Sequence, residues 1–296
     1  MGNSRIFVCN TDGSDAQTIY DHDFHTLPDG IQVYGDTLYW TCMGTHPAHD
    51  DGSLMSGRVA LSASGALELV DVKTIVPPGV TYTPKQVQLD AKGGKLYWCD
   101  REGMRVMRSN LDGSAVETLV QTGSGAEDRK ETNRWCVGIA VDTLRGLLYW
   151  TQKGASKGWD GRIFRAGIEI PAGETPSTRT DIQTLFAHLP EPIDLELDEE
   201  TQTLYWTDRG DPPLGNTFNR AFVGSDSFAT QGPAKSYILT NKFHEAIGLS
   251  LDLPNGRAFV TDLLGGVYAV DLDSGKKTVL IADAGTVTGC VYVPAV

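Results

Sequence analysis

The chain has 296 residues, and its 38 acidic and 25 basic side chains give a formal net charge of −13. An acidic excess of this size argues against nucleic acid and anionic membranes as partners. No apolar run approaches the length of a membrane-spanning helix, so we expect no insertion into a membrane.

The first predicted elements are two short strands at residues 5–10 and 17–20, joined by a Thr-Asp-Gly-Ser turn. Because strand sequence begins so early, we expect no signal peptide. The five cysteines are odd in number and lie mostly in predicted strands, which is typical of buried thiols rather than of a disulfide framework. Both features predict a cytoplasmic protein.

The motif Leu-Tyr-Trp then recurs along the chain and defines a repeat. Its Tyr-Trp pairs occupy residues 39–40, 97–98, 149–150 and 205–206, and a divergent copy, Phe-Val-Thr-Asp, occupies residues 259–262. Successive copies are separated by 58, 52, 56 and 54 residues. A regular interval of this size indicates one supersecondary unit stacked on itself.

The second copy shows most clearly what one unit contains. Strands are predicted at residues 84–90, 95–100, 104–109 and 116–120, with an Asn-Leu-Asp-Gly-Ser turn between the last two. Four short antiparallel strands per unit form a propeller blade. Five such blades begin near Gly30, Lys85, Cys136, Pro192 and Ala246.

The two ends of the chain predict a sixth blade between them. Residues 5–10 and 17–20 match a third and a fourth strand, and residues 286–293 match a first strand. This shared blade closes the ring in the prediction, although it has one strand fewer than the others. We therefore predict an all-β, six-bladed β-propeller that forms a single domain over residues 1–296.

Tyr-Trp-Thr-Asp at residues 205–208 and Tyr-Trp-Cys-Asp at residues 97–100, with Asn-Leu-Asp-Gly-Ser downstream, resemble the YWTD β-propeller family. The resemblance covers nearly the whole chain and implies six blades. It also implies that the motif aromatics fill the space between neighbouring blades and that the Asp caps the following turn. The cysteine-rich modules that flank the receptor members of the family are missing from this sequence, which argues against a receptor role.

Long, irregular loops predict a functional rim on one side of the propeller, because sites are usually placed on long loops of a rigid scaffold. All six histidines and both tryptophans outside the motif fall in these loops. The histidines have a second explanation, because loops are polar and histidine is common in them without any functional role. We expect acid–base chemistry from His188 and His244, and substrate binding from Trp135, Trp159, His22, His25, His46 and His49.

The first strands are expected to line the central channel, and most of them place glycine at one equivalent position. Gln86 and Asp194 replace it in two blades, and Gln88 and Glu196 lie two residues further on the same side. Two close carboxylates can share one proton, which suits a general acid, and the two glutamines are further candidates for substrate contact. The polar walls of a water-filled channel explain the same residues equally well.

Neither a metal nor a cofactor is predicted. The His-x-x-His pairs at residues 22–25 and 46–49 lack a third ligand, and no glycine-rich loop has the context of a phosphate site.

The size and the low cysteine content resemble those of the small YWTD-like propellers of fungal biosynthetic pathways. Among these are hetero-Diels–Alderases that join a tropolone quinone methide to a humulene-type sesquiterpene. The resemblance implies a cofactor-independent pericyclase that holds a hydrophobic, partly aromatic substrate at the channel mouth after an acid-assisted dehydration. Two alternatives stay open, a protein-binding propeller and a calcium-dependent lactonase or esterase.

Overall fold

The computed structural model describes residues 4–22, 26–47, 49–224 and 237–294. Its strands form antiparallel sheets in which each strand pairs with its neighbours in the sequence. β1 (Arg5–Val8) and β2 (Gln17–Asp21) form a two-stranded sheet. Among all the described residues, no helix is long and apolar enough to cross a membrane.

Five sheets of the described chain have four strands each and are the blades of a β-propeller. Blade one contains β3 (Pro28–Tyr34), β4 (Thr37–Cys42), β5 (Ser53–Leu61) and β6 (Leu67–Val76). Blade two contains β7 (Pro84–Asp90), β8 (Lys95–Asp100), β9 (Arg105–Asn110) and β10 (Glu117–Gln121). Blade three contains β11 (Cys136–Asp142), β12 (Leu147–Gln152), β13 (Gly161–Gly167) and β14 (Gln183–Leu189). Blade four contains β15 (Pro192–Asp198), β16 (Thr203–Asp208), β17 (Thr217–Phe222) and β18 (Ile238–Asn241). Blade five contains β19 (Ala246–Asp252), β20 (Arg257–Asp262), β21 (Val267–Asp271) and β22 (Lys277–Ile281).

In the part of the chain that the structure describes, helical structure is limited to short turns. α1 (Gly125–Asp128) is a single turn of α-helix, and 3₁₀ turns occur at Thr132–Arg134 and Leu253–Asn255. This agrees with the lack of helical periodicity in the sequence.

The turns between third and fourth strands follow from their residues. In residues 110–114, the Asp112 carboxylate accepts hydrogen bonds from the backbone N–H of Ser114 at 2.9 Å and from its hydroxyl at 2.6 Å. Gly113 takes a φ of 83°, which glycine adopts without steric cost. Residues 10–14 repeat this geometry, so the predicted Asp-Gly turn is present at both places.

The motif aromatics are buried between the blades, as predicted. The four motif tryptophans are each at most 1% exposed: Trp40, Trp98, Trp150 and Trp206. Tyr97 of blade two shares a buried cluster with Trp150 of blade three, and Tyr149 shares the next cluster with Trp206. Large rigid side chains thus bury much apolar area at each junction.

A hydroxyl after the motif tryptophan ties one blade to the next, and we call this contact the threonine latch. Thr207 donates to the backbone carbonyl of Ile247 in blade five at 2.8 Å and accepts the backbone N–H of Asp194 in its own blade at 3.1 Å. Thr41 and Thr151 make the equivalent bonds at their junctions. Each latch therefore satisfies buried backbone groups of two first strands.

The C-terminal segment, residues 284–293, lies between blade five and blade one. Thr261 of blade five donates its hydroxyl to the Thr288 carbonyl at 2.8 Å, and the Thr288 hydroxyl donates to the Pro28 carbonyl at 3.0 Å. The segment forms no strand. The described chain therefore has five complete blades and a two-stranded sheet, and the predicted count of six was wrong. The physical reason is that a first strand forms by pairing with a second strand, and all five motif copies already serve the five blades.

Thr207→Val tests the latch, because valine keeps the shape of threonine and removes the hydroxyl. The Asp194 N–H and the Ile247 carbonyl then lose a buried partner, so we expect the free energy of unfolding to fall by about 1–3 kcal/mol. Urea unfolding measures the loss. The control is Thr278→Val, at an exposed position of β22, which should change stability by less than about 0.5 kcal/mol. Equal losses in both variants would contradict the latch.

Candidate ligand site at the channel mouth

The mouth of the channel lies at the rim where first strands begin and second strands end. First strands place Asp29, Lys85, Val137, Ile193 and Ile247 at one equivalent position, immediately before the glycine position. Second strands are followed at this rim by Met43, Arg101, Lys153, Arg209 and Leu263. The repeat therefore sets charged and apolar side chains side by side around one opening.

The charged residues form one group of ion pairs, which we call the mouth cluster: Asp29, Lys85, Arg101, Glu102, Lys153, Glu191 and Arg209. Lys85 pairs with Asp29, whose carboxylate also accepts a hydrogen bond from Gln86 at 2.9 Å. With four cations and three anions, the cluster is a positive site on an acidic protein.

Glu191 joins two of these cations. One oxygen of its carboxylate lies 2.9 Å from the Lys153 ammonium and 2.7 Å from the Arg209 guanidinium. Beside them, Arg101 and Glu102 pair at 2.6 Å. The cluster therefore spans four consecutive blades, and its carboxylates fix the direction of each cationic side chain.

Burial sets the protonation behaviour of the cluster. Lys85 and Lys153 are only 8% and 5% exposed. Burial lowers the pKa of both lysines, although Asp29 and Glu191 act in the opposite direction. Burial alone raises the pKa of Glu191, but the neighbouring Arg209 and Lys153 bring it below its ordinary value. A buried ammonium with a lowered pKa releases its proton more readily than an exposed one.

Aromatic and apolar groups surround the cluster. The Trp135 ring lies 5.2 Å from the Arg101 guanidinium carbon and 5.6 Å from the Lys153 ammonium, which are cation–π distances. On the other side of the mouth, a buried apolar group is formed by Val137, Ile193 and Ile247, with Leu263 packed against it. The site therefore combines charged and apolar side chains from the same blades.

A cavity of about 1490 Å³ opens beside the mouth cluster, and we call it the terminal cavity because both chain ends line it. At the mouth, its lining includes four charged residues and three apolar ones: Asp29, Lys85, Arg101, Arg209, Met43, Ile247 and Leu263. Residues 4–11 and residues 284–293 form its two long walls. The cavity is thus polar at one end and mostly apolar along its length.

Asp194 and Glu196 lie two residues apart on β15, the first strand of blade four. The Asp194 carboxylate accepts backbone hydrogen bonds from Leu195 at 2.9 Å and from Leu249 at 3.0 Å, so it links blades four and five. Burial, with the charge of Glu196, raises the pKa of Asp194 well above its ordinary value. Burial raises the pKa of Glu196 to about 7, against a hydrogen bond from Gln88.

The predicted histidines do not gather around the terminal cavity. Four of them are exposed and absent from its lining: His46, His49, His188 and His244. His22 is buried against the rings of Tyr20 and Trp40. Trp159 is 38% exposed and also absent from the lining, and His25 lies outside the described residues. Among the described residues, no group of three or more His, Cys, Asp or Glu side chains is placed to hold a metal ion.

Except for the neighbouring Gln86 and Trp135, the residues of the mouth were not among the predicted site residues. An alignment of all five repeats identifies these residues, because two positions of the repeat carry charged side chains in some blades and apolar side chains in others. One is the position before the glycine, where Asp29 and Lys85 interrupt an apolar series. The other is the position after the motif, where Arg101, Lys153 and Arg209 recur in three consecutive blades.

Comparison with known proteins gives fungal relatives. No family model matches the chain. The low-density lipoprotein receptor-related protein 1 of Pyricularia oryzae is 49% identical over 297 residues, which cover 98% of this chain and 92% of that protein. The 3-hydroxyacyl-CoA dehydrogenase-like protein LAM1 of Cochliobolus heterostrophus is 41% identical over 94% of this chain, and the match spans 58% of LAM1.

Among solved structures, a chain from a nidogen/laminin complex superposes with a TM-score of 0.66 over 94% of this chain and 89% of its own length, at 18% identity. That likeness concerns the fold alone. Fold and repeat together define a β-propeller with YWTD-like relatives. Within this class, the chain belongs to the family of the Pyricularia oryzae low-density lipoprotein receptor-related protein 1.

Glu196→Gln tests the buried channel carboxyl. In the folded wild type, the Glu196 carboxyl stays protonated up to about pH 7, because its pKa is raised from the ordinary value of 4.5. Because the folded-state pKa is the higher one, the free energy of unfolding falls as pH rises from 4.5 to about 7, and the glutamine variant avoids this loss. We expect the variant to gain about 1–3 kcal/mol relative to wild type between pH 4.5 and pH 8.

Urea unfolding at several pH values in this range measures the difference. The matched control is Glu200→Gln, because Glu200 is exposed and should leave the pH profile unchanged. Parallel profiles for wild type and Glu196→Gln would refute the raised pKa.

Proposed function

We propose that the protein is a cofactor-independent enzyme of fungal specialised metabolism that catalyses a hetero-Diels–Alder reaction at the channel mouth. One observation carries the proposal: a buried, net positive cluster opens into a large cavity with mostly apolar walls. Such a site suits an amphipathic small molecule with acidic oxygens at one end. The dehydrogenase-like name of the relative LAM1 supports small-molecule chemistry in this family.

The mouth cluster binds the oxygen-bearing end of the first substrate, a hydroxymethyl tropolone. A tropolone carries two adjacent oxygens in the plane of its ring, which match the planar donor fork of a guanidinium. Arg101 and Arg209 line the cavity; their Nε–Nη2 edges bind Glu102 and Glu191, and their remaining Nη–H groups are the donors offered to the substrate. The humulene-type sesquiterpene packs against the apolar side, where Ile247 and Leu263 line the same space.

Lys85 supplies the acid for the dehydration. Its ammonium gives a proton to the leaving hydroxyl, the carbon–oxygen bond breaks and water departs. The amine then takes the proton of the ring hydroxyl, which leaves a neutral quinone methide and restores the ammonium. Cycloaddition with the alkene forms one carbon–carbon and one carbon–oxygen bond and consumes nothing further. Holding the two partners in attack geometry replaces the entropy lost on their encounter.

We assign the acid to Lys85, which lines the cavity, in place of His188 and His244, which are exposed. Asp194 and Glu196 remain alternative donors, since their raised pKa values favour the protonated form. We place the reaction in the cytoplasm, where free cysteines are stable. A calcium-dependent hydrolase has less support, because the described residues form no group of potential metal ligands.

The double variant Asp29→Asn, Lys85→Met removes the acid together with its counterion, so no unpaired charge stays buried. We expect dehydration-dependent formation of cycloadduct from the hydroxymethyl tropolone and a humulene alcohol to fall at least about 100-fold. The measurement is chiral chromatography of the product, with thermal unfolding as the test of folding. Lys92→Met, at an exposed position in the turn after β7, is the control and should keep full activity.

Two results decide the proposal. A single cycloadduct enantiomer from the wild type, absent without protein, supports catalysis. A racemic or unchanged mixture with folded wild type would exclude the reaction for this substrate pair. Full activity of the folded double variant would remove Lys85 as the acid and return that role to the channel carboxyls.

A further inference from the structure

The terminal cavity has a second polar position, away from the mouth cluster. Tyr292 of the C-terminal segment belongs to its lining. The Tyr292 ring stacks on the Phe259 ring, with 5.7 Å between the ring centroids and 22° between the planes. The backbone N–H of Tyr292 donates to the Ser250 hydroxyl at 2.9 Å, whereas the phenol hydroxyl has no hydrogen-bond partner among the described residues. The phenol is therefore held by its ring and offers an unused hydroxyl.

Equivalent positions in the blades show that the fold does not require this phenol. The Thr261 hydroxyl donates to the Thr288 carbonyl at 2.8 Å. The equivalent bond of the preceding junction ends on Ile247, so Thr288 aligns with Ile247. Tyr292 then takes a position at which every complete blade carries an aliphatic residue: Val33, Leu89, Val141, Leu197 and Leu251. These aliphatic side chains pack against the apolar clusters of their junctions, so the scaffold needs no hydroxyl there.

The position of Tyr292 along the cavity separates it from the acid at the mouth. Lys85 occupies the same repeat position as Thr288, because each accepts a threonine hydroxyl at its backbone carbonyl. Tyr292 comes four residues after Thr288, and four residues of extended chain span about 13 Å. Val33 and Leu38, which pair across β3 and β4, line the cavity as Phe259 does. A ligand that extends from the mouth along the cavity therefore meets the Tyr292 hydroxyl among apolar side chains.

We propose that Tyr292 is a specificity-determining residue of the cycloaddition, and that its phenol binds the hydroxyl of a sesquiterpene alcohol. The inference rests on the proposed function, in which the mouth binds the tropolone and the apolar walls bind the second substrate. A phenol both donates and accepts a hydrogen bond, so it pairs with an alcohol in either direction. Anchoring that hydroxyl fixes which double bond of the terpene ring faces the quinone methide. Tyr292 therefore selects the alcohol over the hydrocarbon and selects one alkene.

Competition between two ligands tests this preference without any chemistry. The intact protein is mixed with a humulene alcohol and the parent humulene hydrocarbon at equal concentrations, without tropolone, and the protein-bound fraction is analysed by gas chromatography. Tyr292→Phe keeps the ring that stacks on Phe259 and removes only the hydroxyl. We expect the ratio of bound alcohol to bound hydrocarbon to fall about three- to tenfold from the wild type to the variant, because one hydrogen bond to the alcohol is lost.

The chain offers a matched control for the loss of a phenol hydroxyl. Tyr34 is 48% exposed and absent from the lining of the cavity. Tyr34→Phe should therefore bind the two ligands in the wild-type ratio. Thermal unfolding of both variants checks that they are folded.

Cycloaddition gives a second measurement, in which binding and chemistry separate. Tyr292→Phe should raise KM for the alcohol about three- to tenfold with little change in kcat, because the acid and the tropolone site are intact. It should also give a mixture of regioisomers in place of one cycloadduct. The double variant Asp29→Asn, Lys85→Met should do the reverse: it loses the reaction and keeps the wild-type ratio of bound alcohol to bound hydrocarbon.

An unchanged ratio of bound ligands in Tyr292→Phe would overturn the role of Tyr292. So would an equal loss of affinity for the alcohol and the hydrocarbon, which is the result of a merely structural role, or failure of the wild type to bind either ligand. A wild type that forms no cycloadduct, with a ratio that still depends on Tyr292, would exclude the proposed reaction and confirm the alcohol contact.

Discussion

The junction between neighbouring blades is the constraint on which this molecule depends. At three junctions a tyrosine from one blade and a tryptophan from the next are buried in one cluster. At three junctions a threonine hydroxyl satisfies backbone groups of both first strands. Cys99 takes the place of the threonine between blades two and three, and Val260 takes the place of the tryptophan between blades four and five. The rings supply apolar burial without direction, and the hydroxyl fixes register, because it bonds only when the two first strands are correctly offset. Neither a blade nor a first strand is stable alone, since each needs the next one to cover it.

This dependence explains why the two chain ends behave differently from the rest. The Thr261 latch holds the C-terminal segment beside blade five, yet no strand of the described residues pairs with the segment, and it remains irregular. β1 keeps its hairpin with β2 because that pairing is local and its turn is built from the same Asp-Gly geometry as in blade two. The terminal cavity lies between β1 and the C-terminal segment, and it opens directly onto the mouth cluster.

The sequence predicts most of the fold, because the motif has a regular interval and its aromatics have only one place to be buried. The strands of blade two were predicted to within one residue. The blade count was wrong because the C-terminal segment pairs with no second strand among the described residues. The site was harder to predict. Asp194 and Glu196 were chosen because polar residues at a glycine position are conspicuous in the repeat, whereas His188 and His244 were chosen by residue type and face solvent. The ion pairs of the mouth join residues far apart in sequence, such as Asp29 and Lys85, which only the closed ring brings together.

Comparison of equivalent positions in different blades shows which residues at the mouth the fold requires and which it does not. Where blades one and two carry Asp29 and Lys85, blades three to five carry Val137, Ile193 and Ile247, so the fold accepts aliphatic side chains there. Likewise, Met43 and Leu263 stand where three other blades carry Arg101, Lys153 and Arg209. Burying paired charges costs desolvation energy that aliphatic residues at the same positions avoid. Four cations held by three carboxylates at one opening are therefore not required by the architecture. Three of them, Lys85, Arg101 and Arg209, line the mostly apolar cavity, and this supports the oxygen-bearing substrate proposed above.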